Sequence, residues 1–292
     1  MTNSVAVAGV GLHPFGRFDR TVTQMGVSAV RAALEDAGNP SFQSVFCATV
    51  YSGVAAGHKV LGALGLTGTP IVNVEAGCAS GGAALMLATN AVRSGQCDTA
   101  LVLGIEKMPR GIIRSSFFEP WREQSGLSAT PAYFALRAMR LMRDSGITKE
   151  DLAQIVVKNR AEGVNNEIAM YRTATTVEAV LESRLVCEPL HLHMLCSPNE
   201  GAAAIVVQRS DLARQDAPKI ASAQLRSHLP GSILGEATPL SGVADENIPA
   251  ASTIAAHAAF EEAGYGPDDL DLIECQDTDA AREILAYEEL GL

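Results

Sequence analysis

A cysteine stands where a predicted buried strand gives way to a predicted helix, in the stretch "VNVEAGCASGGAALMLATNAVRSGQ" at residues 72–96. The thiolate is the reactive form of cysteine, and a helix N-terminus favours negative charge because its first amide groups lack partners. Cys78 occupies that place, Gly77 permits a tight turn, and the small residues from Ser80 onward leave room for a substrate. Amide groups of this turn could also hold an oxyanion. On the residues alone, a nucleophile and a small buried core residue both stay open as interpretations.

Metal-binding and disulfide chemistry are less well supported by the sequence. His191 and His193 alternate in "HLHMLC" and would share a face of a strand, but no third ligand for a metal ion is evident. The six cysteines are scattered, without a Cys-x-x-Cys pair. We therefore predict no metal site and no disulfide framework, but reduced thiols in a cytoplasmic protein.

The elements that must position Cys78 alternate between strands and helices. Four apolar runs in the first 108 residues read as strands: "SVAVAGVG", "SVFCATVYSG", "PIVNVEA" and "DTALVLGIEKM". The last run shows no polar alternation, which is typical of a strand buried on both faces. Helical patterns follow at 131–145 and 149–163, and "GAAAIVVQRS" (201–210) reads as another buried strand. This order predicts a layered α/β architecture.

Composition excludes several classes of partner. The chain has 292 residues, of which 47% are apolar, and a formal net charge of −11. That charge argues against nucleic acid or an anionic membrane surface as the main partner. No apolar run reaches the roughly 18 residues of a membrane span, and the first residues lack the basic flank of a signal peptide.

An internal repeat predicts two related halves. "AVRAALEDAG" (29–38) matches "AHAAFEEAG" (256–264), with Gly38 aligned to Gly264. We expect an N-terminal half at 1–212, with a loop insertion at about 107–200, and a partial C-terminal half at 213–292. The second half should contain its first two strands and helices, with the first strand in "PKIASAQL" (218–225) and the second strand after the helix that ends at Gly264. It should lack a counterpart of the Cys78 turn, which would fall beyond the last residue.

Several segments resemble one enzyme family. "NVEAGCASGGAALMLATNAVRSGQCDTALVLGIEKMPRG" (73–111) resembles the nucleophile segment of the thiolase superfamily, with Cys-Ala-Ser-Gly followed by a strand that ends in Gly-x-Glu-Lys-Met. The similarity is greatest to the sterol-carrier-protein-type and degradative acetyl-CoA acetyltransferase-like branch. Residues 133–166, 183–207 and 269–292 agree with it, so the resemblance covers nearly the whole chain.

The resemblance implies a thiolase-like fold of two related βαβ halves in α-β-α-β-α layers, with the second half incomplete. It implies thiolytic cleavage of a 3-oxoacyl-CoA, or the reverse Claisen condensation, through an acyl group on Cys78. Coenzyme A would be a substrate, and no covalently bound cofactor is expected. Gln276 stands where the family usually has His or Asn and would bind the thioester oxygen. The family's Gly-His-Pro motif, whose His activates the nucleophile, is absent, because the only His-Pro pair is His13-Pro14.

The resemblance also implies further contacts and partners. Gly77, Ser80 and Asn199 would lie at the substrate or oxyanion site, and Phe117 and Trp121 of the long 107–130 loop would shape the acyl pocket. Lys107, Arg110 and Arg114 could meet phosphates of coenzyme A, although a solvated loop explains them equally well.

We expect a homodimer and a small OB-fold, zinc-ribbon partner of the DUF35 type. Two other functions stay open: a retro-aldolase acting on acyl-CoA steroid side chains, and a non-catalytic thiolase-like subunit that binds acyl-CoA or serves as a scaffold.

Overall fold

The computed structural model describes residues 3–111, 124, 130–229 and 248–292. Contacts group the chain into two compact units. The first unit comprises residues 1–108, 168–170 and 199–225, and the second comprises the rest. The two units are defined by contacts between residues, whereas the two predicted halves were defined by the sequence repeat. The predicted division at residue 212 therefore stays a prediction.

The described strands and helices are numbered along the chain. The strands are β1 (Val5–Gly16), β2 (Ser44–Ala48), β3 (Ile71–Val74), β4 (Thr99–Lys107), β5 (Leu185–Cys187), β6 (Leu190–His191) and β7 (Glu200–Arg209). The α-helices are α1 (Val22–Asp36), α2 (Ala56–Leu64), α3 (Ser80–Arg93), α4 (Thr130–Ser145), α5 (Lys149–Gly163), α6 (Val177–Glu182), α7 (Ala251–Ala263) and α8 (Ala280–Leu290). Within the described ranges, no helix is long and apolar enough to cross a membrane.

A five-stranded mixed sheet forms the centre of the first unit. Its order is β1-β7-β4-β2-β3, with β2 parallel to both β3 and β4 and β7 antiparallel to both β1 and β4. In this register Ala48 is level with Val74 on one side and with Gly104 on the other. The carboxyl ends of the three parallel strands therefore meet at one edge of the sheet.

The sheet is covered on both faces, as the β4 sequence predicts. Leu101 and Leu103 are fully buried in a cluster with α1 and α2, whereas Ala100 and Val102 face a second cluster with α3. Alternate side chains of one strand thus enter two cores, which explains why β4 has no polar positions between them.

Helix α1 has the end signals that its sequence suggests. Thr21 and Gln24 form a reciprocal capping box at its start, and Gly38 follows its end at a φ of +77°. Gly11 of β1 packs directly beneath this helix, where an added Cβ would lie 2.2 Å from the carbonyl oxygen of Ala29. The glycines of "AGVG" therefore serve close strand–helix packing.

The second unit has a helical core around a buried carboxylate. Leu152, Val180 and Leu190 are fully buried there. Glu283 of α8 is buried and accepts hydrogen bonds from Lys158, Asn159 and Tyr287. Burial alone would raise the pKa of Glu283, but these hydrogen bonds outweigh it and hold the pKa below its ordinary value.

The second half differs from the prediction in its strands. Helix α7 ends at Gly264 with a φ of +73°, close to that of Gly38 after α1, so the aligned helices end alike. However, the predicted strand at 218–225 does not form, and no strand follows α7 at 269–275, where the second one was expected. The first segment makes only a short antiparallel contact with β1, in which the Ile220 amide bonds the Val5 carbonyl at 2.9 Å. An apolar run becomes a strand only where a neighbour pairs with it, and local pattern cannot supply that neighbour.

Candidate active site

Cys78 lies in the turn between β3 and α3, just beyond the edge where the parallel strands end. Its side chain is exposed. Ligand sites of open α/β sheets lie outside the carboxyl ends of the strands, so this is the expected place for chemistry. The structure therefore does not support the alternative that Cys78 is a buried packing residue.

The turn is held by hydrogen bonds within it. Ser80 is 5% exposed, and its hydroxyl accepts from the Ala76 amide at 2.9 Å and donates to the Gly77 carbonyl at 2.6 Å. Gly77 has a φ of +56°, which favours glycine, and its amide donates to the Glu75 carboxylate at 2.6 Å. The Ser80 hydroxyl thus positions the Cys78 turn, and its predicted contact with substrate stays a prediction.

The start of α3 is open. No side chain caps the helix at Ala79, and an added Cβ on Gly81 or Gly82 would meet nothing within 4 Å. First-turn amide groups without a side-chain cap are available to an anion or an oxyanion. The start of α3 could therefore stabilise the negative charge of a Cys78 thiolate and of a thioester oxygen bound beside it.

Glu106, near the end of β4, holds the turn that follows β2. Its carboxylate accepts from the Val50 amide at 2.8 Å, from the Tyr51 amide at 3.1 Å and from the Ser52 hydroxyl at 2.8 Å. The sequence indicated Glu106 only as part of Gly-x-Glu-Lys-Met. Its contact with residues some 55 positions earlier could not be read from the sequence, because it depends on β2 pairing with β4.

A second carboxylate, Glu200, ties β7 to the segments after β1 and β4. It is 4% exposed and accepts from the Phe18 amide at 2.9 Å and from Arg17 at 3.3 Å. Lys107 lies 3.4 Å from this carboxylate and donates to the Phe18 carbonyl at 2.8 Å. Burial alone would raise the pKa of Glu200, but these partners hold it below its ordinary value. Lys107 is therefore engaged in structure, which argues against its suggested role in binding phosphate.

The other predicted site residues are distributed between the two units. Asn199 is half-buried beside Glu200, and its carbonyl accepts from the Met108 amide at 3.2 Å. Gln276 is exposed in the second unit, shortly before α8. Phe117 and Trp121 lie outside the described residues. The roles of these four residues stay predictions.

His191 and His193 are not grouped with further metal-ligating side chains in the part of the chain that the structure describes. The His191 ring bonds the Ser183 carbonyl at 2.7 Å. Across the described residues, no group of three or more His, Cys, Asp or Glu side chains could hold a metal ion.

Comparison with known proteins decides the family. The model of the thiolase N-terminal domain matches residues 5–174, more than half of the chain and inclusive of Cys78. The chain belongs to the thiolase family. The benzoylsuccinyl-CoA thiolase subunit BbsB of Thauera aromatica is 33% identical over 308 residues, which cover 100% of this chain and 76% of that protein.

Two further likenesses agree with this thiolase assignment. An acetyl-CoA acetyltransferase of Methanothermobacter thermautotrophicus is 34% identical over 303 residues, covering 98% of this chain and 77% of that protein. The solved structure of the Ltp2-ChsH2(DUF35) aldolase superimposes with a TM-score of 0.82 at 22% identity, covering 99% of this chain and 77% of that one. At this identity the last likeness bears on the fold alone, and it confirms the predicted thiolase-like α/β fold.

Proposed function

We propose that this thiolase-family chain transfers an acyl group from a 3-oxoacyl-CoA to coenzyme A, with Cys78 as the nucleophile. One observation carries the proposal: an exposed cysteine lies at the uncapped start of α3, at the edge where parallel strands end. The thiolase-type relatives support the reaction class. Coenzyme A is a substrate in this proposal, and no bound cofactor is required.

The reaction would proceed in two steps. The Cys78 thiolate attacks the 3-oxo carbon, the bond between carbons 2 and 3 breaks, and the departing acetyl-CoA carbanion takes up a proton. The acyl group then resides on Cys78 as a thioester. The thiolate of free coenzyme A attacks that thioester and expels Cys78 as a thiolate. Run backwards, the same steps make a Claisen condensation.

The remaining site residues have supporting roles in this proposal. Open amide groups at the start of α3 would receive negative charge on the acyl oxygen. Gln276 would donate a hydrogen bond to a thioester oxygen, and Asn199 would line the substrate site. Phe117 and Trp121 would border the acyl group.

Substitution of the nucleophile tests the proposal. We expect Cys78→Ala to abolish thiolysis of acetoacetyl-CoA and to prevent the mass gain of an acyl group on the protein. Cys196→Ala is the matched control, because Cys196 is also exposed but belongs to the second unit. Full thiolase activity in Cys78→Ala would overturn the proposal.

A retro-aldolase is the second candidate, because the aldolase structure superimposes over nearly the whole chain. It is less favoured, since retro-aldol cleavage needs no acyl-enzyme and would leave the exposed Cys78 unexplained. Cleavage of a 3-hydroxyacyl-CoA that persists in Cys78→Ala would favour the aldolase. Failure of both reactions would favour a non-catalytic acyl-CoA-binding subunit.

Partner and location form part of the same proposal. The name of the aldolase structure includes a DUF35 chain, which supports a small OB-fold, zinc-ribbon partner here. Strand β3 ends the described sheet, which supports a homodimer formed along this edge. None of the six cysteines, all of which lie in the described ranges, forms a disulfide bond, which supports a cytoplasmic location. Copurification of this chain with a DUF35-type protein tests the partner. The sedimentation coefficient of the pure protein tests the homodimer.

A further inference from the structure

The turn after β2 presents three apolar side chains to solvent within five residues. Val50 is 40% exposed, Tyr51 43% and Val54 87%. Single exposed apolar residues are common, but a cluster next to a candidate nucleophile suggests a surface that contacts a ligand.

This turn is fixed by its surroundings. The Glu106 carboxylate accepts from two successive amides, those of Val50 and Tyr51, and from the Ser52 hydroxyl. Hydrogen bonds to an ionised carboxylate are about twice as strong as neutral ones. Ala55, which follows the turn, has a φ of +57°, a conformation that alanine adopts only where its neighbours impose it. The apolar side chains are thus presented by a rigid support.

Tyr51 and Cys78 lie at the same edge of the sheet. The Thr49 amide bonds the Val74 carbonyl at 3.2 Å, so the segments after β2 and β3 leave the sheet together. Burial raises the pKa of the Tyr51 phenol, and the negative charges of a Cys78 thiolate and of Glu106 raise it further. The phenol therefore stays protonated at the edge of the sheet where Cys78 lies.

We propose that Tyr51 borders the acyl group carried by Cys78 and limits its size, and that Glu106 is the positioning residue that holds Tyr51 there. This inference rests on the proposed function and deepens it, because it names a residue that selects the acyl substrate. The phenol ring offers an apolar face to an acyl chain, and its protonated hydroxyl offers a hydrogen-bond donor.

Alkylation of Cys78 tests the position of Tyr51 without requiring catalysis. The full chain is treated near neutral pH with iodoacetamide, which is small, or N-phenylmaleimide, which is bulky, and each cysteine is followed by peptide mass. We expect Tyr51→Ala to raise the ratio of bulky to small labelling at Cys78 by about tenfold, comparable to the discrimination that a small change of pocket size gives. The ratio at Cys196 should not change. Tyr51→Phe, which keeps the ring, should leave the ratio at Cys78 near its original value.

Glu106→Gln tests the positioning role. The glutamine side chain of this variant would keep one acceptor oxygen but lose the negative charge, so the turn should loosen. The ratio of bulky to small labelling at Cys78 should therefore rise, but by less than in Tyr51→Ala. Tyr265→Ala is the matched control, because Tyr265 is 59% exposed in the second unit. An unchanged ratio at Cys78 in folded Tyr51→Ala would overturn the position of Tyr51.

Substrate preference tests the acyl contact itself. We expect Tyr51→Ala to raise kcat/KM for 3-oxo-3-phenylpropanoyl-CoA relative to acetoacetyl-CoA. An unchanged preference would overturn the acyl contact. If the unsubstituted chain thiolyses neither substrate, the proposed function fails, and the labelling ratio still decides whether Tyr51 borders Cys78.

Discussion

Replacing Ser80 by alanine separates two roles that the sequence could not distinguish. As a substrate ligand, Ser80 would affect binding. As a support of the turn, it would affect the stability and geometry around Cys78. The structure favours support, because the hydroxyl already bonds the Ala76 amide and the Gly77 carbonyl.

The expected cost follows from those two bonds. In Ser80→Ala the Gly77 carbonyl still accepts from the residue 80 amide, at 3.2 Å in the present structure, but the Ala76 amide loses the hydroxyl. A buried group left without a partner costs about 1–3 kcal/mol. Ala76 is exposed, so water can replace part of the lost bond. We therefore expect a loss of unfolding free energy at the lower end of this range, about 1 kcal/mol, which corresponds to about a fivefold change in the equilibrium constant of unfolding.

The assay combines urea unfolding with steady-state kinetics on acetoacetyl-CoA. Ser80→Ala should lower the free energy of unfolding by about 1 kcal/mol and lower kcat more than it raises KM. Ser94→Ala is the matched control at the other end of α3, where an exposed hydroxyl donates one bond of 3.2 Å to the Ala91 carbonyl. It should change stability by less than about 0.5 kcal/mol.

One pattern of results would refute this reasoning. If Ser80→Ala raised KM strongly while the free energy of unfolding and kcat stayed at their original values, the hydroxyl would be a substrate ligand. The interpretation of Ser80 as a support of the Cys78 turn would then be wrong.

Three further predictions concern stability and thiol accessibility. The folded pKa of Glu283 lies below its ordinary value, so its stabilising effect is present at neutral pH and is lost as the pH falls through the folded pKa. Glu283→Gln should therefore lower the free energy of unfolding at neutral pH, and the difference should shrink as the pH falls below the ordinary pKa of a glutamate. Gly11→Ala places a Cβ 2.2 Å from a backbone oxygen of α1 and should lower the free energy of unfolding, measured in urea, by about 1–3 kcal/mol or more. Gly81→Ala, where an added Cβ meets open space, should lower it by less. Burial, with a smaller contribution from Glu106, raises the pKa of the Cys47 thiol to about 12. Iodoacetamide near neutral pH should therefore label Cys78 and spare Cys47. Equal labelling of the two cysteines in the folded protein would contradict the burial of Cys47.

Most elements of the first unit could be predicted because their signals are local. β4 is a continuous apolar run, and α1 ends at a glycine that adopts the left-handed conformation. β1 extends through Gly16, past the predicted start of a loop, because β7 pairs with it as far as Glu200. The segments 218–225 and 269–275 of the second half form no strand in the described structure, because a strand depends on a neighbour that the local sequence does not specify.

The candidate site divides in the same way. The place of Cys78 and the tight turn at Gly77 could be inferred from adjacent residue types. The support of Tyr51 by Glu106 could not, because β2 and β4 are neighbours in the sheet but are separated in the chain by β3. Residue type marks candidates, whereas strand order decides which of them meet.

Three titratable side chains near this edge of the sheet are engaged in structural contacts. The carboxylates of Glu106 and Glu200 each accept hydrogen bonds from the backbone of a neighbouring segment. His13 is 2% exposed, its Nδ1 lies 2.8 Å from the Pro14 carbonyl oxygen, and its ring packs edge-on against Phe18. These groups therefore hold the edge of the sheet together, and we predict that a different residue carries the proton transfers of the proposed reaction.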